Sequence, residues 1–269
     1  MSSTLTCPTG HAFFREGRKL KPLKNQVAFV SGASRGIGAA VAVALAREGA
    51  DVAVGYYQSE GQARHVVEKC RQKGVRSHAY PMNVAEETDV EQALLEVQNT
   101  LGSPDILVHS AGITGDSLLF QDVTPQEYDR VMDVHVRGAY HLIRHTIPDM
   151  ISRKHGRIIL LSSIWGEAGG AGEVVYSAAK GAINALARAL AKELAPSGIT
   201  VNTVSPGAID TDMLRAQLSE EELESLATVI PAGRLGKPEE VAKMVVYLCH
   251  PDAGYVTGQV MHINGGWYP

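Results

Sequence analysis

The sequence predicts one doubly wound α/β domain over residues 25–269, with a parallel sheet of about seven strands and helices on both faces. Short β-branched runs alternate along the chain with longer segments rich in Ala, Leu, Glu and Arg. This order is typical of strand–helix–strand units, whose right-handed crossovers produce a parallel sheet. A length of 269 residues, 45% of them hydrophobic, is also sufficient for one large core.

The individual elements follow from these runs. The predicted strands are residues 27–30, 52–54, 106–109, 157–162, 200–204 and 259–263. The predicted helices lie between them, at residues 37–48, 61–73, 87–101, 124–153 and 177–194. Ser219 and Glu222 form a capping box, which predicts a further short helix through Ala227.

The composition argues against several classes of function. A net charge of −4 without a strongly basic face argues against nucleic acid as the main partner. No apolar run reaches the ~18–20 residues that cross a bilayer, so we expect no membrane association. The 3 cysteines are scattered, which favours free thiols, a cytoplasmic location and no resident metal. Residues 1–24 lack the apolar region of a secretory signal and are expected to be a flexible extension.

A glycine-rich loop joins the first predicted strand to the first predicted helix. Its sequence is Ser31-Gly32-Ala33-Ser34-Arg35-Gly36-Ile37-Gly38. The three glycines let the backbone turn tightly and approach a pyrophosphate, which the helix N-terminus then stabilises. A glycine cluster also occurs in ordinary tight turns, but its position between a strand and a helix favours a dinucleotide. The domain is therefore predicted to be of the Rossmann type.

The end of the second strand indicates which dinucleotide binds. Proteins that prefer NAD usually place a carboxylate there for the ribose 2′-hydroxyl. In this chain, residues 55–59 at the end of the strand contain no carboxylate, and the first one that follows is Glu60. Arg35 can pair with a 2′-phosphate, and Ser59 can donate a hydrogen bond to it. These residues favour NADPH over NADH. The alternative is that Arg35 is a solvated surface charge.

Tyr176 and Lys180 lie four residues apart on a predicted helix, so their side chains share one face. A tyrosine pKa near ~10 makes the phenol a weak acid at neutral pH, and a neighbouring ammonium is expected to lower that pKa. Ser163 follows the predicted strand 157–162, at the sheet edge where α/β proteins bind ligands. The Tyr-x-x-x-Lys spacing is common by chance. Ser163 and the glycine loop together make it a candidate catalytic set.

Five motifs in one order make the chain resemble the short-chain dehydrogenase/reductase family over essentially all of residues 25–269. They are the glycine loop, His109-Ser110-Ala111-Gly112, Ser163 with Tyr176 and Lys180, Ser205-Pro206-Gly207 with Ile209 and Thr211, and Asn264-Gly265-Gly266. The resemblance implies hydride transfer from NADPH to a ketone. Ser163 would hold the carbonyl oxygen, Tyr176 would protonate the alkoxide, and Lys180 would bind the nicotinamide ribose.

The loop and the resemblance together assign a set of cofactor residues. It comprises Gly32, Ser34, Arg35, Gly36, Ile37, Gly38, Ser59, Asn83, Val84, Ala111, Gly112, Tyr176, Lys180, Pro206, Gly207, Ile209 and Thr211. The resemblance further implies a homotetramer and a lid over about residues 208–234. A plain surface helix is the alternative for the lid.

Two histidines depart from the family pattern. His135 occupies the position of an asparagine that relays protons from the lysine to solvent. We predict that His135 takes over this relay, because imidazole can both donate and accept. The alternative is a helix residue that is satisfied by a backbone carbonyl. His109 also replaces an asparagine and is expected to be structural.

The substrate is predicted from the loop that carries Glu167 and Glu173. A carboxylate beside the reacting carbonyl suits a ketone that carries an ammonium, although loop carboxylates more often face solvent. With His135, this loop and Glu173, the chain resembles a branch of the family that reduces the 5-aminopentanone modification of elongation factor P. Reduction of that ketone is therefore the first prediction for the substrate.

Two alternative functions are also compatible with the sequence. The first is a 3-oxoacyl-[acyl-carrier-protein] reductase, whose acidic carrier would dock on a basic cluster near the mouth of the site. That cluster is Arg153, Lys154, His155 and Arg157, while Ser197 stands where a second docking arginine is expected. The other reading, of a different class, is a catalytically lapsed NADPH-binding scaffold or regulator.

Overall fold

Seven parallel strands form one sheet in the computed structural model, which describes residues 21–268. The strands are β1 (Val27–Ser31), β2 (Asp51–Tyr56), β3 (Ser77–Pro81), β4 (Ile106–His109), β5 (Gly156–Leu161), β6 (Ile199–Pro206) and β7 (Val260–Ile263). They are ordered β3-β2-β1-β4-β5-β6-β7. The order reverses between β1 and β4, and such a switch point opens a crevice at the carboxyl ends of the strands. The predicted fold class is confirmed.

Helices cover both faces of the sheet. They are α1 (Gly36–Arg47), α2 (Glu60–Arg71), α3 (Glu87–Thr100), α4 (Pro125–Met132), α5 (Gly138–Arg153), α6 (Trp165–Ala168), α7 (Val174–Leu194), α8 (Asp212–Arg215), α9 (Glu220–Val229) and α10 (Pro238–Cys249). The predicted capping box at the start of α9 is confirmed, because Ser219 and Glu222 bond reciprocally.

The predicted helix over residues 124–153 is interrupted. A π-helical turn, Asp133–Arg137, separates α4 from α5. A π turn widens the helix locally and often marks a functional site. Residues 124–153 therefore do not form one regular helix, and the interruption contains His135.

The burial pattern explains which strands the sequence predicted. Every residue of β1, β4, β5 and β6 is buried, so these strands appear as continuous apolar or β-branched runs. The edge strand β3 has only two buried residues among its five, and its sequence has no apolar run. It was not among the predicted strands for that reason.

Apolar side chains fill the space on each face of the sheet. One core cluster is formed with α1, α2 and α10, and the other with α3, α5 and α7. Leu23 has 0% exposure in the first cluster, and its backbone N–H bonds to the Glu48 carbonyl at 3.0 Å. Packing of the domain therefore begins before the predicted boundary at residue 25. The extension over residues 1–20 lies outside the described residues.

Between residues 21 and 268, none of the helices combines the length and the apolar character needed to cross a membrane. Within the same range, His, Cys, Asp and Glu side chains form no group of three or more that could hold a metal ion. The two cysteines described there, Cys70 and Cys249, are buried free thiols.

Candidate active site

A cavity of about 640 Å³ lies across the carboxyl ends of the central strands, at the switch point of the sheet. Most of the predicted cofactor residues line it: Gly32, Ser34, Arg35, Gly36, Ile37, Gly38, Ser59, Asn83, Val84, Ala111, Gly112, Tyr176, Lys180, Pro206 and Thr211. Gly207 and Ile209 are not among its lining residues. Ile209 turns into the core, where it is 5% exposed.

Other lining residues were not predicted from the sequence. They include Arg130 in α4, Asp133 at the start of the π turn, and Met213 in α8. The predicted regular helix over 124–153 gave no reason to direct Arg130 or Asp133 into the site. Met213 falls within the predicted lid over residues 208–234. That prediction was the one feature of the sequence that indicated a place near the site for Met213.

The glycine loop forms a cradle in which side chains do not fit. Gly32 has φ +62, and a Cβ on it would lie 2.6 Å from Ala111 Cα. A Cβ on Gly38 would lie 2.4 Å from the Gly32 carbonyl oxygen. Helix α1 begins within this loop, at Gly36, without a side-chain cap and without an acidic residue in its first turn. Its free N–H groups and positive dipole end therefore suit a pyrophosphate.

The side chains predicted to select the 2′-phosphate lie at the same end of the cavity. Arg35 and Ser59 both line it, and Arg35 is exposed with no carboxylate partner in the described part of the chain. Glu60, the nearest acidic residue in sequence, is paired with Arg64 at 2.6 Å. No free carboxylate is thus offered to a ribose 2′-hydroxyl at this point.

The predicted catalytic side chains come together at the carboxyl end of β5. Tyr176 and Lys180 share one face of α7, and the Lys180 Nζ lies 5.4 Å from the centroid of the Tyr176 ring. Lys180 Nζ donates a hydrogen bond to the Leu161 carbonyl at 2.7 Å. Ser163 is 9% exposed, and its Oγ accepts the Trp165 N–H at 3.2 Å.

Burial controls the protonation of this pair. It raises the pKa of Tyr176 to about 12, although the nearby Ser163 hydroxyl lowers it in part. It also lowers the pKa of Lys180 to about 7. The expected lowering of the Tyr176 pKa by a neighbouring ammonium is not found in the chain itself. The cost of burying a phenolate has the largest effect on Tyr176, and a lysine with a pKa of about 7 carries only part of a charge at neutrality.

His135 is 1% exposed, and its Nε2 lies 2.8 Å from the Ile113 carbonyl oxygen. The Ile113 N–H also lies 3.3 Å from Nε2. The shorter contact with the carbonyl oxygen places the ring hydrogen on Nε2 and leaves Nδ1 as an acceptor. Nδ1 is buried without a hydrogen-bond partner among the described residues. If Nδ1 accepted a proton, the only neighbour to which Nε2 could pass one on would thus be a backbone carbonyl. These contacts favour the alternative to the relay, a helix histidine satisfied by a carbonyl.

The two loop glutamates have different surroundings. Glu167 pairs with Arg188 at 3.0 Å and with His262 at 3.0 Å, and it does not line the cavity. Glu173 and Ser163 are likewise not among the lining residues of this cavity, and the placement of the two glutamates in a substrate pocket stays a prediction. Glu173 has no ion pair in the described range, burial raises its pKa, and its charge helps raise the pKa of Tyr176. Glu173 consequently lies near the reacting phenol.

The predicted docking cluster is not near the mouth of the site. Arg153 ends α5 and Arg157 is the second residue of β5, so the cluster lies at the amino ends of the strands. Ser163 lies beyond the other end of the same strand, roughly 20 Å away at ~3.3 Å per residue. Arg157 is also 6% exposed, and Arg153 is paired with Asp105. Within one chain, these residues do not form the predicted docking surface.

The cradle, the uncapped helix end and the tyrosine–lysine pair define a class of protein, an oxidoreductase that uses a dinucleotide. Comparison with known proteins agrees with this class. The family described as "Enoyl-(Acyl carrier protein) reductase" matches residues 32–268. The 3-oxoacyl-[acyl-carrier-protein] reductase FabG of Staphylococcus aureus is 44% identical over 241 residues, covering 90% of this chain and 97% of that protein. The reductase of the same name from Aquifex aeolicus is 40% identical over 247 residues, covering 91% and 98%.

A solved structure is also similar. The crystal structure of a dehydrogenase/reductase from Sinorhizobium meliloti has a TM-score of 0.85 and 38% identity, covering 93% of this chain and 98% of that one. The chain therefore belongs to the short-chain dehydrogenase/reductase family, as its motifs predicted. By this membership it is an oxidoreductase.

The buried lysine predicts a stability effect. Because the pKa of Lys180 is lowered from 10.5 to about 7 in the folded chain, the unfolded chain binds more protons between these values. Stability should thus rise with pH across this window and be lowest below it. We expect Lys180→Met to increase the free energy of unfolding near neutral pH by on the order of 2 kcal/mol, with a smaller gain near pH ~10. Urea titrations at the two pH values measure this.

Lys192→Met is the matched control, because Lys192 is exposed on the same helix. It should show no gain that depends on pH. A Lys180→Met protein that is less stable than the parent at both pH values would contradict the effect ascribed to burial.

Proposed function

We propose that the chain uses NADPH to reduce the ketone of a 3-oxoacyl group attached to acyl carrier protein. The observation that carries this proposal is the grouping of Ser163, Tyr176 and Lys180 beside the glycine cradle. The curated relatives support the substrate, because those described above are named for this reaction at 40–44% identity. The prediction that the substrate is the modified elongation factor P receives no such support from these relatives.

The two hydroxyl groups favour a carbonyl over a carbon–carbon double bond. Ser163 and Tyr176 are both hydrogen-bond donors, and together they suit an oxygen that gains negative charge. NADPH supplies the hydride to the carbonyl carbon when it is bound. The oxygen then takes the proton of Tyr176, which leaves a secondary alcohol and a phenolate.

The proton balance follows from the two pKa values. With a pKa of about 12, Tyr176 is protonated at neutral pH, the form that reduction requires. Lys180, with a pKa of about 7, exchanges protons in the same range and can return one to the phenolate. The site residues are thus set for ketone reduction at neutral pH, with alcohol oxidation requiring a further effect to ionise Tyr176.

Arg35 provides a test of the cofactor. We expect Arg35→Ala to raise the KM for NADPH by about tenfold or more and to leave the KM for NADH within about twofold, because the guanidinium meets only the 2′-phosphate. Initial rates with a β-keto ester and either cofactor measure the effect. Arg47→Ala, at the other end of α1, is the control. An equal rise in both KM values would remove Arg35 from cofactor selection.

A second candidate substrate is the 5-aminopentanone group on elongation factor P. Glu173 favours it, because an unpaired carboxylate beside Tyr176 can bind an ammonium carried by the ketone. The position of the basic cluster at the opposite sheet edge also weakens the case for an acidic carrier docking on that cluster.

Turnover of acetoacetyl-[acyl carrier protein] against modified elongation factor P separates the two candidates. The proposal expects kcat/KM for the carrier thioester to be at least about tenfold higher. Glu173→Gln should leave that rate unchanged or increase it, and should reduce turnover of the aminated ketone. Glu91→Gln, an exposed residue on α3, is the control. Faster turnover of elongation factor P that depends on Glu173 would contradict the proposal and establish the second candidate.

A further inference from the structure

A continuous chain of hydrogen bonds connects the floor of the cavity with the wall beside the catalytic tyrosine. The backbone N–H groups of Ser110 and Ala111 each lie 3.1 Å from Ser31 Oγ. Ser31 Oγ lies 3.0 Å from His109 Nδ1, and His109 Nε2 lies 3.1 Å from the backbone oxygen of His135. The chain therefore links β1, β4 and the π turn.

The direction of these bonds follows from the acceptors. A carbonyl oxygen only accepts, so the hydrogen of the His109 ring is on Nε2 and the Nδ1 lone pair accepts from the Ser31 hydroxyl. The Ser31 oxygen then accepts the two backbone N–H groups. Burial and the nearby Lys180 lower the pKa of His109 to about 4, so the ring is neutral at ordinary pH. In His109, Nε2 therefore donates to the His135 carbonyl, and Nδ1 accepts from the Ser31 hydroxyl.

The bond to His135 acts on the irregular turn. A π turn is rare, because its backbone bonds are shifted by one residue. Here the His135 carbonyl oxygen in the turn accepts a hydrogen bond from outside the helix, from the His109 ring. This turn directs the His135 ring against Tyr176, with 5.3 Å between ring centroids and 85° between ring planes. On its other side the ring touches the cavity floor, where a Cβ on Gly112 would lie 2.6 Å from its Cε1. The imidazole is thus a spacer between the floor and the phenol.

We propose that His109 is a positioning residue for the reaction: by donating to the His135 carbonyl it fixes the π turn, and through the His135 ring it fixes Tyr176 relative to the cofactor floor. This inference rests on the proposed role of Tyr176, and it is independent of which carrier bears the ketone. A histidine that only braced the sheet would need the Ser31 contact alone.

The two contacts can be separated by substitution because they use different ring nitrogens. The amide of asparagine reaches about as far as Nδ1 of histidine, and that of glutamine about as far as Nε2. His109→Asn should therefore keep the bond to Ser31 and lose the donor to His135. His109→Gln should keep the donor to His135 and lose the bond to Ser31.

Steady-state kinetics with NADPH and a β-keto ester test the proposal on the full-length chain. We expect His109→Asn to lower kcat by about tenfold or more with the KM for NADPH within about twofold, and His109→Gln to retain at least about a third of the parental kcat. His78→Asn, an exposed residue on β3, is the control. Equal losses in both His109 variants, or a greater loss in His109→Gln, would overturn the proposal.

Nitrogen-15 spectra of the histidine rings in the unaltered chain provide a test that does not depend on the folding of a variant or on turnover. His109 and His135 should both show the neutral tautomer with hydrogen on Nε2, without titrating between pH ~5.5 and ~9. A hydrogen on Nδ1 of His109 would also overturn the proposal. If the rings behave as expected but the parental chain reduces no ketone, the proposed function fails and the hydrogen-bond chain stands.

Discussion

Burial of Tyr176 and Lys180 on one face of α7 is the constraint on which the site depends. Removal from water favours the neutral form of each group, and it acts on the two pKa values in opposite directions. Tyr176 consequently keeps its proton at neutral pH, while Lys180 gains and loses a proton in that pH range. The lysine donates to the Leu161 carbonyl, and among residues 21–268 it has no carboxylate partner.

The fold supplies the dry environment that this chemistry requires. β5 and β6 are buried along their whole length, and α7 packs on them with its small and branched residues. The parallel order places the carboxyl ends of the strands, the glycine cradle and the start of α7 along one edge of the sheet. Reaction and cofactor residues from distant parts of the sequence thus meet at a single cavity.

The sequence predicted the features that are encoded locally. Continuous apolar runs indicated the buried strands, the glycine spacing indicated the cradle, and the i,i+4 spacing placed Tyr176 and Lys180 on one face. The features it did not predict arise from tertiary contacts. The π turn needs a donor from β4, the pairing of Glu167 needs residues on α7 and β7, and the pKa of Tyr176 depends on burial that a pattern of residue types does not quantify.

Charge around the cavity bears on the choice of substrate. The predicted lid segment, residues 208–234, contains six carboxylates and two arginines. Arg215 pairs with Asp210 and Glu220, and Arg234 pairs with Glu240. A macromolecular carrier that is acidic must therefore approach by a route other than this segment, whereas a cationic group meets no repulsion there. The proposed ketone reduction is common to both candidate substrates, and these charges act on which ketone reaches the site.

The most direct test of the account is the ionisation of Tyr176 itself, followed by ultraviolet difference titration of the parental chain against Tyr176→Phe. The account predicts that the phenol stays protonated in the free chain until well above the ~10 of an ordinary tyrosine. It also predicts that adding NADP⁺ moves the titration to lower pH, since a cation beside the phenol favours its charged form. A tyrosinate signal at neutral pH in the free chain would contradict the claim that burial controls this site.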